Sequence, residues 1–209
     1  MRHQSLIVFV KEPRPGRVKT RLARDIGPVA AAWWLRHRIA QLLRGPGCDP
    51  RWDTLLAVAP DTAFGSRLLP PGPRRLAQGG GDLGLRMLRA LAAAPPGRAV
   101  LVGADIPGLG ARHIAEAFAL LGRHEAVLGP ATDGGFWLIG LARGGRRLRA
   151  EALAGVRWST PHALADTRAR LAPLSVGLAA TLADVDRGAD LSPGDTARPI
   201  WRACPPGGG

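Results

Sequence analysis

Four cations and three acidic stretches carry the chemistry this chain can do. Lys11, Arg17, Lys19 and Arg21 crowd into KEPRPGRVKTR, residues 11–21, directly after the apolar run SLIVFV. Lys11 and Lys19 are the only two lysines of the chain, although Lys and Arg together number 29. A triphosphate carries several negative charges; Lys acts on it as a compact point charge and Arg grips it as a fork. Asp105 in GADIPGL closes an apolar run, with Pro107 and Gly108 turning the chain behind it. Asp133 stands in TDGG, and Asp184 and Asp186 in DVDRGADL. Mg2+ or Mn2+ wants hard oxygen ligands, often one or two carboxylates completed by phosphate oxygens and water. Clustered cations, carboxylates and a divalent metal are the parts that phosphoryl-type transfer needs.

The loop at 11–21 is not a P-loop. That motif needs Gly immediately before the Lys, where Val18 stands, and the spacing from Gly16 is also wrong. It holds no G-x-G-x-x-G fingerprint either. What it offers is Gly16 for close backbone approach and alternating cations that face a phosphate chain; a solvated basic loop is the plainer alternative. Further along, Gln78 and the GGG that contains Gly80 allow close approach to a base or ribose, and Arg86 can reach a phosphate. Asp82 is placed to cap the helix that follows, and Asp190 belongs to local turn structure.

The elements that must position these residues follow from pattern. Apolar strand-like runs at 5–10, 54–60, 74–78, 99–105, 125–131, 136–142 and 174–180 alternate with helical spacing at 28–44, 82–94, 111–122 and 160–171. Such alternation predicts an α/β fold, a three-layer α/β/α arrangement around a mainly parallel central sheet. In these sheets the ligand lies beyond the carboxyl ends of the strands. The loops at 11–21, 103–109, 132–135 and 184–190 all fall at those ends, and their shared location is stronger evidence than any one of them. Asp105 lies too far ahead of the helix at 111 to cap it, which favours a ligand role. Asp133-Gly134-Gly135 is a turn by chemistry, because glycine supplies positive φ. Phe136 and Trp137 alternate faces after it, one walling a pocket and the other packing in the core. Residues 1–192 read as a single domain and 193–209, ending ACPPGGG, as a frayed extension.

KEPRPGRVKTRLA, with QGGGDLGLRM, LVGADIPGL, LGPATDGGFWLIGL, RWSTP and DVDRGADL in order along nearly the whole chain, resembles a family of the nucleotide-diphospho-sugar transferase superfamily, of GT-A-like fold. Its members carry the label of arsenosugar-biosynthesis-type glycosyltransferases. The KTRL element is also similar to the phospholactate and molybdopterin guanylyltransferases, in which the first loop binds a nucleoside triphosphate. The resemblance implies nucleotide binding by Lys11, Gly16, Arg17, Lys19, Arg21, Gln78, Gly80 and Asp105. It implies a divalent metal, Mg2+ or Mn2+, on Asp105 and Asp186, and an acceptor or sugar pocket at Asp133, Gly134, Gly135, Trp137 and Trp158. Lys19, Arg21 and Asp133 would act in catalysis. Ser159 or Thr160 can instead cap the helix behind them.

Composition removes other classes. The formal charge of +13 suggests nucleic acid, but the arginines are dispersed and not interleaved with aromatics, and Asn and Tyr are absent. That profile marks a GC-rich coding sequence, and no nucleic-acid partner is expected. No apolar run approaches the roughly 20 residues of a membrane helix. SLIVFV is too short for a signal peptide, so a cytoplasmic location is expected. Cys48 and Cys204 lack metal spacing and read as reduced, structural or incidental.

Two reactions fit. In nucleotidyl transfer, an NTP on the 11–21 loop is attacked at its α-phosphorus by a small phosphorylated acceptor, releasing pyrophosphate; an ionised phosphate needs no general base. In glycosyl transfer, an NDP-sugar supplies the sugar and Asp133 deprotonates an acceptor hydroxyl. The many cations of the first loop favour the first, since an NDP-sugar presents less charge. A non-catalytic nucleotide- or nucleic-acid-binding protein would leave Asp105 and Asp186 idle.

Overall fold

The structure is a computed structural model and describes residues 3–144 and 148–192. Seven strands form one sheet: β1 (Gln4–Lys11), β2 (Asp53–Ala59), β3 (Arg74–Ala77), β4 (Arg98–Gly103), β5 (Ala126–Pro130), β6 (Phe136–Leu141) and β7 (Val176–Leu178). Their order is β3-β2-β1-β4-β6-β5-β7. All neighbours run parallel except β6, which is antiparallel to both β4 and β5. The reason is local: five residues join β5 to β6, and a parallel connection needs a dozen or more. The expected strands are all present, with β7 shorter than expected at its ends.

Five helices cover the sheet: α1 (Leu22–Ile26), α2 (Pro28–Arg44), α3 (Leu83–Ala93), α4 (Ala111–Leu120) and α5 (Ala163–Arg170). Alternate residues of β1 divide the core. Leu6, Val8 and Val10 face α2 and α4 through Leu35, Ile39, Ile114 and Phe118. Ile7 faces α3 on the other side through Leu88 and Leu91, with Leu171 after α5 in the same cluster. These buried apolar side chains each contribute about 1.5–3 kcal/mol of burial, and they make the three-layer α/β/α architecture.

Caps fix where helices begin. Asp82 accepts the Leu85 backbone N–H at 2.8 Å, the N-cap role its sequence position implied. Gly27, at φ +85°, precedes Pro28 at the first position of α2, where the missing N–H costs nothing. Of the cysteines, Cys48 is not a free thiol, which corrects the expectation of a reduced residue. Cys204 and the 193–209 extension lie outside the described residues. No helix among the described residues is long and apolar enough to cross a membrane.

Candidate active site

Strand order reverses between β1 and β4: β2 flanks β1 on one side and β4 on the other. Beyond the carboxyl ends of these strands lies a cleft of about 630 Å³, within the size range of small-molecule sites. Lys11, Arg17, Lys19, Arg21, Gln78, Asp105, Asp133, Gly135, Trp137, Trp158 and Asp186 all line it. Gly16, Gly80 and Gly134 do not. Gly16 shapes the loop at φ +75° with open space around it, and Gly80 gives its carbonyl to Arg89 at 2.9 Å. Gly134 stands at φ +85°, and a Cβ there would collide with the Pro161 carbonyl. It seats the Asp133 turn on the segment entering α5, where the Leu164 N–H donates to its carbonyl at 3.1 Å.

Lys19 is the hub. Its Nζ lies 2.5 Å from Asp105 Oδ2 and 3.6 Å from Asp186 Oδ1, and donates to the Val185 carbonyl at 2.8 Å. The ammonium also stands 5.8 Å from the Trp34 ring. The side chain is only 10% exposed, against 31% for Asp105 and 37% for Asp186. Lys19 holds a left-handed φ of 45°, an uncommon state for a residue with a Cβ. Arg21 donates to Asp186 Oδ2 at 2.6 Å. So the residue expected to reach phosphate is instead enclosed between two carboxylates in this state. The outward-facing cations of the loop are Lys11 and Arg17, both exposed and without an ion pair among the described residues.

The acidic segment after β7 is tied to the first loop. Asp25 of α1 accepts the Gly188 N–H at 2.7 Å, and Val185 N–H donates to the Asp105 carbonyl at 3.2 Å. Asp190 accepts from the Asp186 and Arg187 backbone N–H groups at 3.0 and 2.8 Å, the local turn role expected of it. An isolated bridge between Ala131 and Leu182 draws the Asp133 turn alongside. Asp184 then faces a crowd of like charge. Burial first, then Asp105 and Asp133, with Asp186 adding, push its carboxyl above the ordinary range, against a partial offset from Lys19. Asp184 joins the site as a residue that pattern gave no role of its own.

Gln78 departs from the ligand contact expected of it. It is 1% exposed, and its amide donates to the Val10 carbonyl at 2.9 Å and the Ala57 carbonyl at 2.8 Å. Its Oε1 accepts from Arg86 Nη2, and the Arg86 guanidinium lies 5.6 Å over the Phe9 ring. Gln78 thus ties β1 to β2 and aims Arg86, which lines the cleft. Trp137 is core, 3% exposed, with Nε1 donating to the Ala180 carbonyl at 3.0 Å. Phe136, half-buried, meets Trp158 edge-on at 6.2 Å, so of the adjacent aromatics Phe136 takes the outer wall. Thr160 bonds to Arg157 and His162 in the turn before α5, while Ser159 holds φ 60°.

Among the described residues no group of three or more His, Cys, Asp or Glu side chains is arranged to hold a metal ion. Asp105 and Asp186 nevertheless already share one cation, the Lys19 ammonium, and Asp184 and Asp133 leave negative charge around it. The donor set is all carboxylate oxygen, which suits Mg2+ or Mn2+ once phosphate oxygens complete it.

Residues 47–160 match a protein family described as "uncharacterized protein conserved in bacteria", DUF2064. The chain belongs to the DUF2064 family. The family match takes in Gln78, Asp105, Asp133 and Trp158 but not the 11–21 loop. A solved structure of a candidate nucleotide-diphospho-sugar transferase from Desulfovibrio desulfuricans G20 is 31% identical, with a TM-score of 0.77 over 90% of this chain and 84% of that one. More distant folds agree in architecture. The inositol-1-phosphate CTP transferase of T. maritima is 10% identical with a TM-score of 0.54, over 94% of each chain. Rv0371c of Mycobacterium tuberculosis H37Rv, solved in complex with manganese, is 15% identical with a TM-score of 0.54, over 90% of this chain and 95% of that one. No curated protein matches the sequence. The fold is that of the nucleotide-diphospho-sugar transferases, with the nucleotidyltransferases among its structural neighbours.

Proposed function

We propose that the protein is a metal-dependent nucleotidyltransferase, binding an NTP across the β1–β4 switch point and releasing pyrophosphate. One observation carries this: the first loop and α3 bring five cations to the same cleft as four carboxylates. Lys11, Arg17 and Arg86 take the triphosphate, with Gly16 shaping the loop. Asp105 and Asp186 would hold Mg2+ or Mn2+, which would neutralise charge developing on the phosphates. Lys19 and Arg21, paired with those carboxylates here, would be free to contact the phosphates if a metal held Asp105 and Asp186. Gln78 positions Arg86, Gly80 supports that segment through Arg89, and Asp133, Gly135, Phe136 and Trp158 form the acceptor side. The acceptor and nucleotide are small molecules; neither nucleic acid nor membrane is a partner, and the location is cytoplasmic.

A second reaction, glycosyl transfer from an NDP-sugar, is favoured by the 31% identical D. desulfuricans protein and its sugar-transferase description, and it accords with the arsenosugar-type resemblance. A thermal-shift panel with Mg2+ separates the two. An NTP at about 100 times its Kd stabilises by roughly 2.7 kcal/mol, raising Tm by about 5–10 °C in a domain of this size. A shift with NDP-sugars and with no NTP replaces the first reaction by the second.

A further inference from the structure

We propose that the acceptor carries an apolar body, an aryl or branched alkyl group, that seats where the α3 layer of the core opens into the cleft. The proposal rests on the transferase reading of that cleft, whichever donor serves.

The sheet separates two apolar layers, and they end differently at the cleft. On the α2 and α4 side, the core residues that line it are sealed in: Val10, Val18, Leu35, Ala104, Ile106 and Trp137 are each 7% exposed or less. On the α3 side, Met87, Leu101 and Ile139 are likewise buried. Four more residues of that layer, Phe9, Leu83, Phe136 and Trp158, are only half-buried and line the cleft. They come from β1, the first turn of α3, β6 and the segment before α5, so four parts of the chain converge on one apolar seat. Phe136 and Trp158 meet edge-on at 6.2 Å, and the Arg86 guanidinium stands over Phe9. Gly84 lets the seat close. A Cβ there would come within 2.7 Å of Trp158 Cζ2, so the indole lies directly on the backbone of α3. A glycine inside a helix is otherwise destabilising.

This seat offers a ligand little but carbon. The one polar atom of its four side chains, the Trp158 indole nitrogen, is buried out of reach. A sugar or polyol hydroxyl pressed against it would lose water and gain no hydrogen bond, which is costly. An aryl or branched alkyl group would give up no hydrogen bond and would cover apolar surface, on both sides a gain. Phe136 follows the Asp133 turn and Trp158 leads into α5, so the seat belongs to the acceptor side of the cleft. The polar end of the acceptor, a phosphate or a hydroxyl, then points toward the donor phosphates.

The test measures binding without turnover, by ligand-observed NMR titration of the full chain with Mg2+. The probes share a polar end and differ in body: benzyl phosphate and isopentyl phosphate against glycerol 3-phosphate, and the two corresponding alcohols against glycerol. In whichever set binds, the apolar members should bind about tenfold or more tightly than the glycerol member. Equal affinities, a tighter glycerol member, or no binding by any probe overturns the proposal. Trp158→Ala should erase the preference. Leu83→Ser, at a half-buried position, should do the same if the first variant does not fold, as urea unfolding reports. A preference that survives in a folded variant overturns the seat. Displacement of the benzyl signal by an NTP and by its nucleoside alike would give the seat to the nucleobase, which also overturns the proposal. Thermal shifts with NTPs and NDP-sugars read the donor separately. Their absence strikes the transferase reading and leaves the seat as one for an apolar ligand.

Discussion

Replacing Lys19 by Met removes a cation while keeping a stem of similar length. Four interactions vanish: contacts of 2.5 Å to Asp105 and 3.6 Å to Asp186, the hydrogen bond of 2.8 Å to the Val185 carbonyl, and the ammonium's position 5.8 Å from the Trp34 ring. Breaking a fully buried pair by removing one partner costs about 3–5 kcal/mol, whereas an exposed pair is worth about 0–1. Here the lysine is 10% exposed but the carboxylates are 31% and 37% exposed. Water therefore screens the orphaned charges, and the cost falls between the limits, at about 2 kcal/mol. For a chain of this size that lowers Tm by about 4–8 °C. Lys11→Met is the control: Lys11 is exposed and unpaired among the described residues, so its loss should stay within about 0.5 kcal/mol. Calorimetry at low salt, repeated with Mn2+, reads both. With the ammonium gone, Mn2+ has the two carboxylates to itself and should recover more Tm in Lys19→Met than it adds to the wild type. Equal melting temperatures for the two variants would refute the bridging role of Lys19. Mn2+ that stabilises the wild type alone would refute the shared position.

Three other perturbations test the supports of the site. Gln78→Leu strands the Val10 and Ala57 carbonyls and releases Arg86, which should cost about 2 kcal/mol in urea unfolding and weaken NTP binding with it. Gly134→Ala puts a Cβ on the Pro161 carbonyl at φ +85° and should lower Tm sharply, whereas Ser159→Gly relieves a left-handed serine and should raise Tm by a few degrees at most, since relief of about 1–2 kcal/mol is offset by roughly 0.5–1 of glycine entropy. Arg157 holds the Asp166 carboxyl well below its usual range; a depressed folded-state pKa contributes stability that is present above the unfolded value near pH 4 and is lost as pH falls. Asp166→Asn should accordingly melt lower than wild type at pH 7, and the two should converge as the pH is taken toward 2.

Local chemistry was legible where it acts locally. The apolar runs became strands because alternate residues of each face two helical layers, and Asp82 became a cap because a carboxylate three residues before Leu85 reaches that free N–H. α1 escaped, since LARDI is too short to show a helical period. Gln78 shows the converse failure. Beside GGG it looked like a ligand contact, yet the carbonyls it satisfies belong to Val10 and Ala57, far away in the chain and adjacent only in the sheet. Nothing in the serine at 159 announces a left-handed backbone, because serine has no preference for one.

Lys19 and Asp133 show why residues can be singled out in a sequence while their surroundings cannot be read there. Both were legible as chemistry, one as a singular lysine and one as the acid of a glycine turn. Their surroundings depend on the strand order β3-β2-β1-β4-β6-β5-β7. That order follows from the insertion of β6 between β4 and β5, and no local pattern encodes the insertion. It brings the Asp133 turn alongside the segment after β7, and that segment onto Asp105 and the first loop. The enclosure of Lys19 between Asp105 and Asp186 is thus a result of that topology.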